Sequence, residues 1–191
     1  MNKKLLIFIP HINVGGVEKN LFLIANYLAK KIDNISIITV NKKFTKNLNK
    51  KIKIISPKSR AWEDSSMYTK YIISILLLIN TLKSDRNYLV FSFQANWYAI
   101  IISKLFGIKI VTRSNTAPQG WSGSVIKKFF YKLVINLADK IIVNSNEFKD
   151  SLKKYFNVNS ACVYNPLNKS KILKLSKSIK KFDFFKSDKY L

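Results

Sequence analysis

At 191 residues the chain is long enough for one domain with a sizeable core, and its 48% hydrophobic and 13% aromatic content is that of a globular protein. Five glycines and four prolines exclude a low-complexity polymer, and the single cysteine, Cys162, excludes an internal disulfide and suits a reducing, cytoplasmic setting. The net charge of +24 comes from 34 basic residues of which only Arg60, Arg86 and Arg113 are arginine, so nucleic acid, read by planar guanidinium forks, is the least favoured partner. Lysine suits an anionic membrane surface or a phosphate-bearing substrate; a coding bias explains its abundance equally well. In chain order, LLIFI (5–9) predicts a buried strand. Val17, Leu21, Ile24 and Leu28 then recur at helical spacing from Gly16 to about Lys31. Strands follow over 35–40 and 52–55, an apolar helix over 67–83 and a strand over 88–93. The helix over 96–106 stops at Gly107 in the C′ position, and IKIVT (108–112) is a strand leading into a polar loop, 113–123. A helix over 124–138 places Phe129, Phe130, Leu133 and Leu137 on one side, the phenylalanines read as core. A strand over 140–143, a helix over 146–155 and a strand over 161–164 complete the alternation, with a weakly amphipathic tail beyond.

Continuously apolar strands alternating with helices describe a parallel sheet covered on both faces, an α/β, Rossmann-like doubly wound fold. Ligands of such sheets sit beyond the carboxyl ends of the strands, and PHINVGG (10–16) is the first loop there. Gly15 and Gly16 allow a sharp turn and a close approach to the backbone, at a helix start that favours phosphate. A plain structural turn is an equal reading. The following GGVEKN lacks the third glycine of the dinucleotide fingerprint, so a nicotinamide cofactor is not expected. The longest apolar stretch, 71–82, is well short of the roughly 20 residues that span a bilayer, and the basic start carries too short an apolar run for a secretory signal.

HINVGGVEKNLFLIANYLAKK resembles the amino-terminal signature of family 4 glycosyltransferases of the GT-B fold. FSFQANWYAIIISKLFGIKIVTRSN, LADKIIVNSNEFKDSL and VYNPLN are similar to later stretches of the same domain, in order, over roughly 3–170. The resemblance implies the acceptor-side domain of a retaining enzyme. Such an enzyme moves a hexose-type sugar from a nucleotide-sugar to a lipid-linked or surface-polysaccharide acceptor of lipopolysaccharide, O-antigen or capsule type. The expected location is the inner face of the bacterial cytoplasmic membrane. On this reading 1–168 form the N-terminal domain and 169–191 a linker. The donor-binding domain, with its Glu-x7-Glu motif, is missing from the sequence and is supplied by the same or a separate chain, leaving the fragment alone inactive. Two alternatives stand beside it: a non-catalytic membrane-docking subunit of a split transferase, or an inert truncated product.

The resemblance implies a histidine or arginine near the position of Arg113, against the donor or its leaving phosphate. His11, the only histidine, stands at the mouth of the first strand, where it could hydrogen-bond a sugar hydroxyl or phosphate. These two are the catalytic candidates. Surface solvation is the plain alternative for Arg113, and a backbone-satisfied loop position for His11. Asn115 shares the loop of Arg113. Ser92, Gln94 and Asn96 end the fourth main strand, where neutral donors and acceptors suit sugar hydroxyls; Asn96 equally suits a helix cap. Glu18 either touches substrate or simply complements the first helix turn. Asn144 and Ser145, with Glu147, read as a capping box. The ten carboxylates are scattered, with no Asp-x-Asp and no Cys/His cluster, so neither a metal nor another cofactor is expected. Membrane contact is expected from Lys50 and Lys51 in one basic segment, and from Trp121, Lys127 and Lys128 in a second.

Overall fold

The computed structural model describes residues 4–12, 15–43, 45–94, 96–115 and 125–178. Alternating apolar residues send β1 (Lys4–Phe8) into two cores at once. Leu5 and Ile7, with Ile9, pack against Leu21 and Ala25 of α1 (Gly16–Leu28). Leu6 and Phe8 face the other way, towards Leu78 and Leu82 of α2 (Met67–Ser84) and Ala99 and Ile100 of α3 (Asn96–Leu105). Each side chain so buried contributes about 1.5–3 kcal/mol, which is why an unbroken apolar run specifies a strand covered on both faces.

The remaining strands are β2 (Ile35–Ile38), β3 (Lys53–Ile55), β4 (Tyr88–Ser92), β5 (Lys109–Arg113), β6 (Lys140–Val143) and β7 (Ala161–Cys162). The sheet order is β3-β2-β1-β4-β5-β6-β7, every adjacent pair parallel, as expected of a doubly wound Rossmann-like fold. The helices α4 (Val125–Asn136), α5 (Asn146–Phe156) and α6 (Lys169–Ser178) complete the chain order. A third, smaller core joins Ile141 and Val143 to Phe148, Leu152 and Phe156 of α5.

Several boundaries differ from expectation for local reasons. Arg113 closes β5 rather than opening a loop, because it pairs with Ile142 and the next amide, Ser114 N–H, donates to Ile142 O at 2.8 Å. Strand β2 ends at Ile38, since the Val40 amide turns aside to Pro10 O. Two short 3-10 turns, Thr45–Asn47 and Arg60–Asp64, were not foreseen. The cap of α5 is Ser145, whose hydroxyl accepts the Phe148 amide, and not Asn144. Gly107 sits at φ +68 after α3, with Gly107 N–H on Lys104 O and Ile108 N–H on Ser103 O, a Schellman closure as its position predicts.

Helix α4 overturns one expectation outright. Among its described side chains Val134 and Ile135 are buried, whereas Ile126, Phe129, Phe130 and Leu133 are exposed, with Leu137 just beyond its end. Phe129 is 62% exposed and Phe130 45%, so neither is core. Phe130 only meets the Trp97 ring edge-on at 5.9 Å.

Candidate functional site

Strand order reverses between β1 and β4, and there the crossovers diverge to opposite sides and leave a crevice at the carboxyl edge. A cavity of about 400 Å³ occupies it. His11, following β1, Gln94, following β4, and Arg113 and Asn115, at the end of β5, bring polar groups to its wall, together with Asn96 from the first turn of α3. Tyr71 of α2, Trp97 and Ile100 of α3, and Tyr131 and Ile135 of α4 make the rest largely aromatic and aliphatic. The twin-glycine elbow lies at the same edge, two strands from Arg113.

Arg113 is 1% exposed, the opposite of a solvated surface residue. Its Nη2 donates to Val163 O at 3.1 Å and to Asn165 Oδ1 at 2.9 Å, while the buried Nε has no partner. Two ion pairs occur among the described residues, Lys4–Asp85 and Lys104–Asp139, and neither touches Arg113. Burial pushes its pKa down, yet a guanidinium stays charged. An uncompensated buried cation is costly unless something anionic comes to meet it.

His11 is 7% exposed and its Nδ1 has no partner, so the reading of a loop histidine satisfied by backbone does not hold for that nitrogen. Burial lowers its pKa; Glu18 opposes that shift and Lys70 adds to it. The ring is therefore neutral near pH 7 and can give or take a hydrogen bond. Gln94 Oε1 is likewise buried without a partner, and its Nε2 approaches Glu18 Oε1 at 3.4 Å. His11, Gln94 and Arg113, all lining residues, thus each keep one buried polar atom without a partner.

The remaining candidates, Asn96 and Asn115 on the wall and Ser92 and Glu18 behind it, are tied into the surrounding structure. Ser92 is fully buried, its hydroxyl within reach of Asn96 Oδ1 at 2.7 Å and Gln94 O at 2.9 Å, and it does not line the cavity. Asn96 Nδ2 donates to Arg113 O at 3.0 Å, tying α3 to β5. Asn115 Nδ2 donates to Phe93 O at 3.1 Å. Glu18 is buried at the third position of α1, does not line the cavity, and meets it through Gln94 and through its charge on His11.

The glycines act differently from expectation. Gly15 has an extended φ of −156, open to any residue, and Gly16 is helical, so the turn itself needs neither. A Cβ on Gly15 would stand 2.6 Å from Glu18 Oε2, so this position leaves room for the carboxylate folded over the helix start. A Cβ on Gly16 would meet nothing within 4 Å, and neither glycine lines the cavity.

Sequence reasoning missed Asn165 and Asn20. Asn165 Oδ1 accepts both the Arg113 guanidinium and Asn20 Nδ2, the latter at 2.8 Å. Its position before Pro166 in VYNPLN and the place of Asn20 just off the apolar stripe of α1 were the available signals.

Of the expected membrane contacts, Lys50, Lys51 and Lys128 are exposed, while Trp121 and the side chain of Lys127 lie outside what the structure describes. Lys50 and Lys51 precede the amino end of β3, an edge strand; Lys128 lies near the start of α4, beyond the carboxyl end of β5. They do not form one patch. Among the described residues no helix is long and apolar enough to cross a membrane, and no group of three or more His, Cys, Asp or Glu could hold a metal ion.

Comparison with known proteins places this geometry. The family model described as Glycosyltransferase Family 4 matches residues 14–171. Among solved structures, the Anabaena HepE protein in complex with UDP-glucose aligns at 15% identity and TM-score 0.63, over 93% of this chain and 50% of its own. A glycosyltransferase from Rickettsia africae ESF-5 aligns at 20% identity and TM-score 0.61, over 93% and 50%. UDP-N-acetylglucosamine 2-epimerase from Rickettsia bellii aligns at 12% identity and TM-score 0.52, over 98% and 50%. At such identities the likeness concerns the fold, which an epimerase shares with a transferase. The chain spans about half the length of these structures. No curated protein matches it.

Proposed function

The chain belongs to glycosyltransferase family 4, and from that premise we propose that it forms the acceptor-side half of a retaining glycosyltransferase. The enzyme passes a hexose-type sugar from a nucleotide-sugar to a lipid-linked or surface-polysaccharide acceptor at the inner face of the bacterial cytoplasmic membrane. The observation that carries this reading is Arg113: a buried cation without a carboxylate partner, on the wall of a cavity at the carboxyl edge of the sheet.

As the sugar departs, negative charge grows on the diphosphate, and a preoriented guanidinium in a dry site stabilises it without reorganising. Neutral His11, Gln94 and Asn115 are suited to sugar hydroxyls, and the aromatic wall of Tyr71, Trp97 and Tyr131 to sugar faces or an apolar tail. A donor-binding domain, on the same or a separate polypeptide, holds the nucleotide, and closure of the two excludes water.

Helix α4 supports membrane docking. Ile126, Phe129, Phe130 and Leu133 form an exposed apolar stripe beside Lys128 and Lys132, the composition of a helix that lies in the lipid interface. The same stripe is what favours the second reading, a membrane-docking subunit without chemistry of its own.

Turnover separates the two. Joined to a donor-binding domain and given polyprenyl-linked acceptors, the chain should transfer sugar, and Arg113→Ala should lower kcat/KM by about a hundredfold or more. Undiminished turnover in Arg113→Ala would overturn the role of Arg113, and no transfer at all would leave only the docking role. Steady turnover by the 191 residues alone would overturn the division of labour.

A further inference from the structure

Resting on the reading of Arg113 as the group that meets the leaving diphosphate, we propose that Asn165 is a positioning residue. It aims the guanidinium at the cavity while leaving its charge uncancelled, so that a carboxylate at this position would switch the anion site off.

Three observations lead there. The guanidinium is almost wholly buried, and its two acceptors, Val163 O and Asn165 Oδ1, are both neutral. Asn165 is exposed, so water could have solvated an acid there cheaply, and an acid would have given Arg113 a full ion pair in place of a bond to a neutral oxygen. As a partner for a buried cation, the amide is therefore the weaker choice. Second, the orientation of that amide is fixed from the other side. Asn20 Nδ2, on α1, donates to the same Oδ1 at 2.8 Å, and two donors converging on one atom identify it as the oxygen. The Asn20–Asn165–Arg113 chain thus joins the first helix, the turn after β7 and the end of β5 through a single oxygen. Third, the charge so held has somewhere to act: Arg113 lines the cavity, and its Nε still lacks a partner.

Oδ1 spends both of its lone-pair directions on these two donors. An aspartate would keep the shape and both contacts while adding a full negative charge 2.9 Å from the guanidinium. A purely structural Asn165 would tolerate that exchange or gain from it. A residue that must leave Arg113 free would not.

The test uses the 191-residue chain, with inorganic pyrophosphate as the probe. The lysine-rich surface binds anions at many places, so the readout is local: the Nε–H resonance of Arg113 in ¹⁵N spectra, assigned with Arg113→Lys among only three arginines. Thermal unfolding is followed in parallel. In the native chain the resonance should move saturably. Asn165→Asp should unfold at the same or a higher temperature, yet require at least about tenfold more pyrophosphate for the same shift. Asn165→Ala should bind at least about threefold more weakly and be less stable. If the native chain responds and Asn165→Asp responds equally, the role of Asn165 falls while that of Arg113 stands. If the native resonance does not move at all, the reading of Arg113 fails and takes this one with it. Should Asn165→Asp not fold, native-like binding by Asn165→Ala is the overturning result.

Discussion

The folded chain keeps His11 uncharged, and solution measurements can read the consequence. Burial depresses its pKa below the ordinary 6.5, with Lys70 adding to the effect and Glu18 opposing it. Above pH 6.5 both folded and unfolded chains carry neutral imidazole, and this contribution to stability is at its full value. As the pH falls below 6.5 the unfolded chain binds a proton that the folded chain refuses, and stability drops until the lower folded pKa is passed. The slope cannot exceed about 1.4 kcal/mol per pH unit for one proton. Because His11 is the only histidine, and the depressed carboxylates Asp85, Asp139 and Glu147 titrate at lower pH, the difference in melting between the native chain and a His11 variant over pH 5 to 7 reads it. His11→Gln should flatten that dependence; an unchanged slope would mean the ring is hydrated. What sequence reveals at this scale is residue type and rank along the strand. It located His11, Gln94 and Arg113 near one edge. It did not distinguish Ser92, spent on Asn96 and Gln94, from a residue facing the cavity, because that depends on which side of the strand end a side chain leaves. Nor did it show that Gly15 makes room for Glu18, since that contact exists only once the helix has formed.

Elements were legible where a local rule and the fold agree. The stop of α3 at Gly107 followed from glycine's access to φ > 0, and the structure uses that access, at φ +68. A Cβ there would meet no atom within 4 Å, so Gly107→Ala should cost only the left-handed backbone term, about 1–2 kcal/mol. Urea unfolding should show a lower midpoint with unchanged m, and a larger loss would point to a packing role instead. Helix α4 was misread because its period is genuine but the apolar stripe faces outward. The core is served by Val134 and Ile135, which share the helix with Ile126, Phe129, Phe130 and Leu133 on another side. Periodicity reports that a helix has an apolar face, not what covers it. The edge strand β7 came out shorter than expected because β6 is its only neighbour in the sheet and the ladder fades after Val163 N–H reaches Val143 O.

At the scale of the whole molecule, the parallel order could be read because nearly every strand is apolar on both faces, and only a doubly covered sheet accepts that. How charge and apolar surface combine could not, since segments distant in sequence meet only in the fold. Helix α4 supplies Tyr131 and Ile135 to the cavity wall while its Phe130 rests on Trp97, another wall residue. A membrane gripped by the outer stripe of α4 would therefore lie next to the cavity, and an amphiphilic acceptor would reach Arg113 without crossing water. Binding to vesicles containing phosphatidylglycerol tests this arrangement. The charge of +24 should give attraction that weakens steeply with salt, and the apolar stripe should give a residue of binding that salt does not remove. Replacing Phe129 and Phe130 together by serine removes two large exposed side chains and should lower the salt-resistant affinity by at least about tenfold, the equivalent of about 1.4 kcal/mol. Replacing Lys50 and Lys51 by alanine, at the amino end of a strand four places from β5, should change it by less than about threefold. The reverse ranking would move the lipid-facing surface to the β3 edge, away from the cavity, and separate membrane attachment from access to the site.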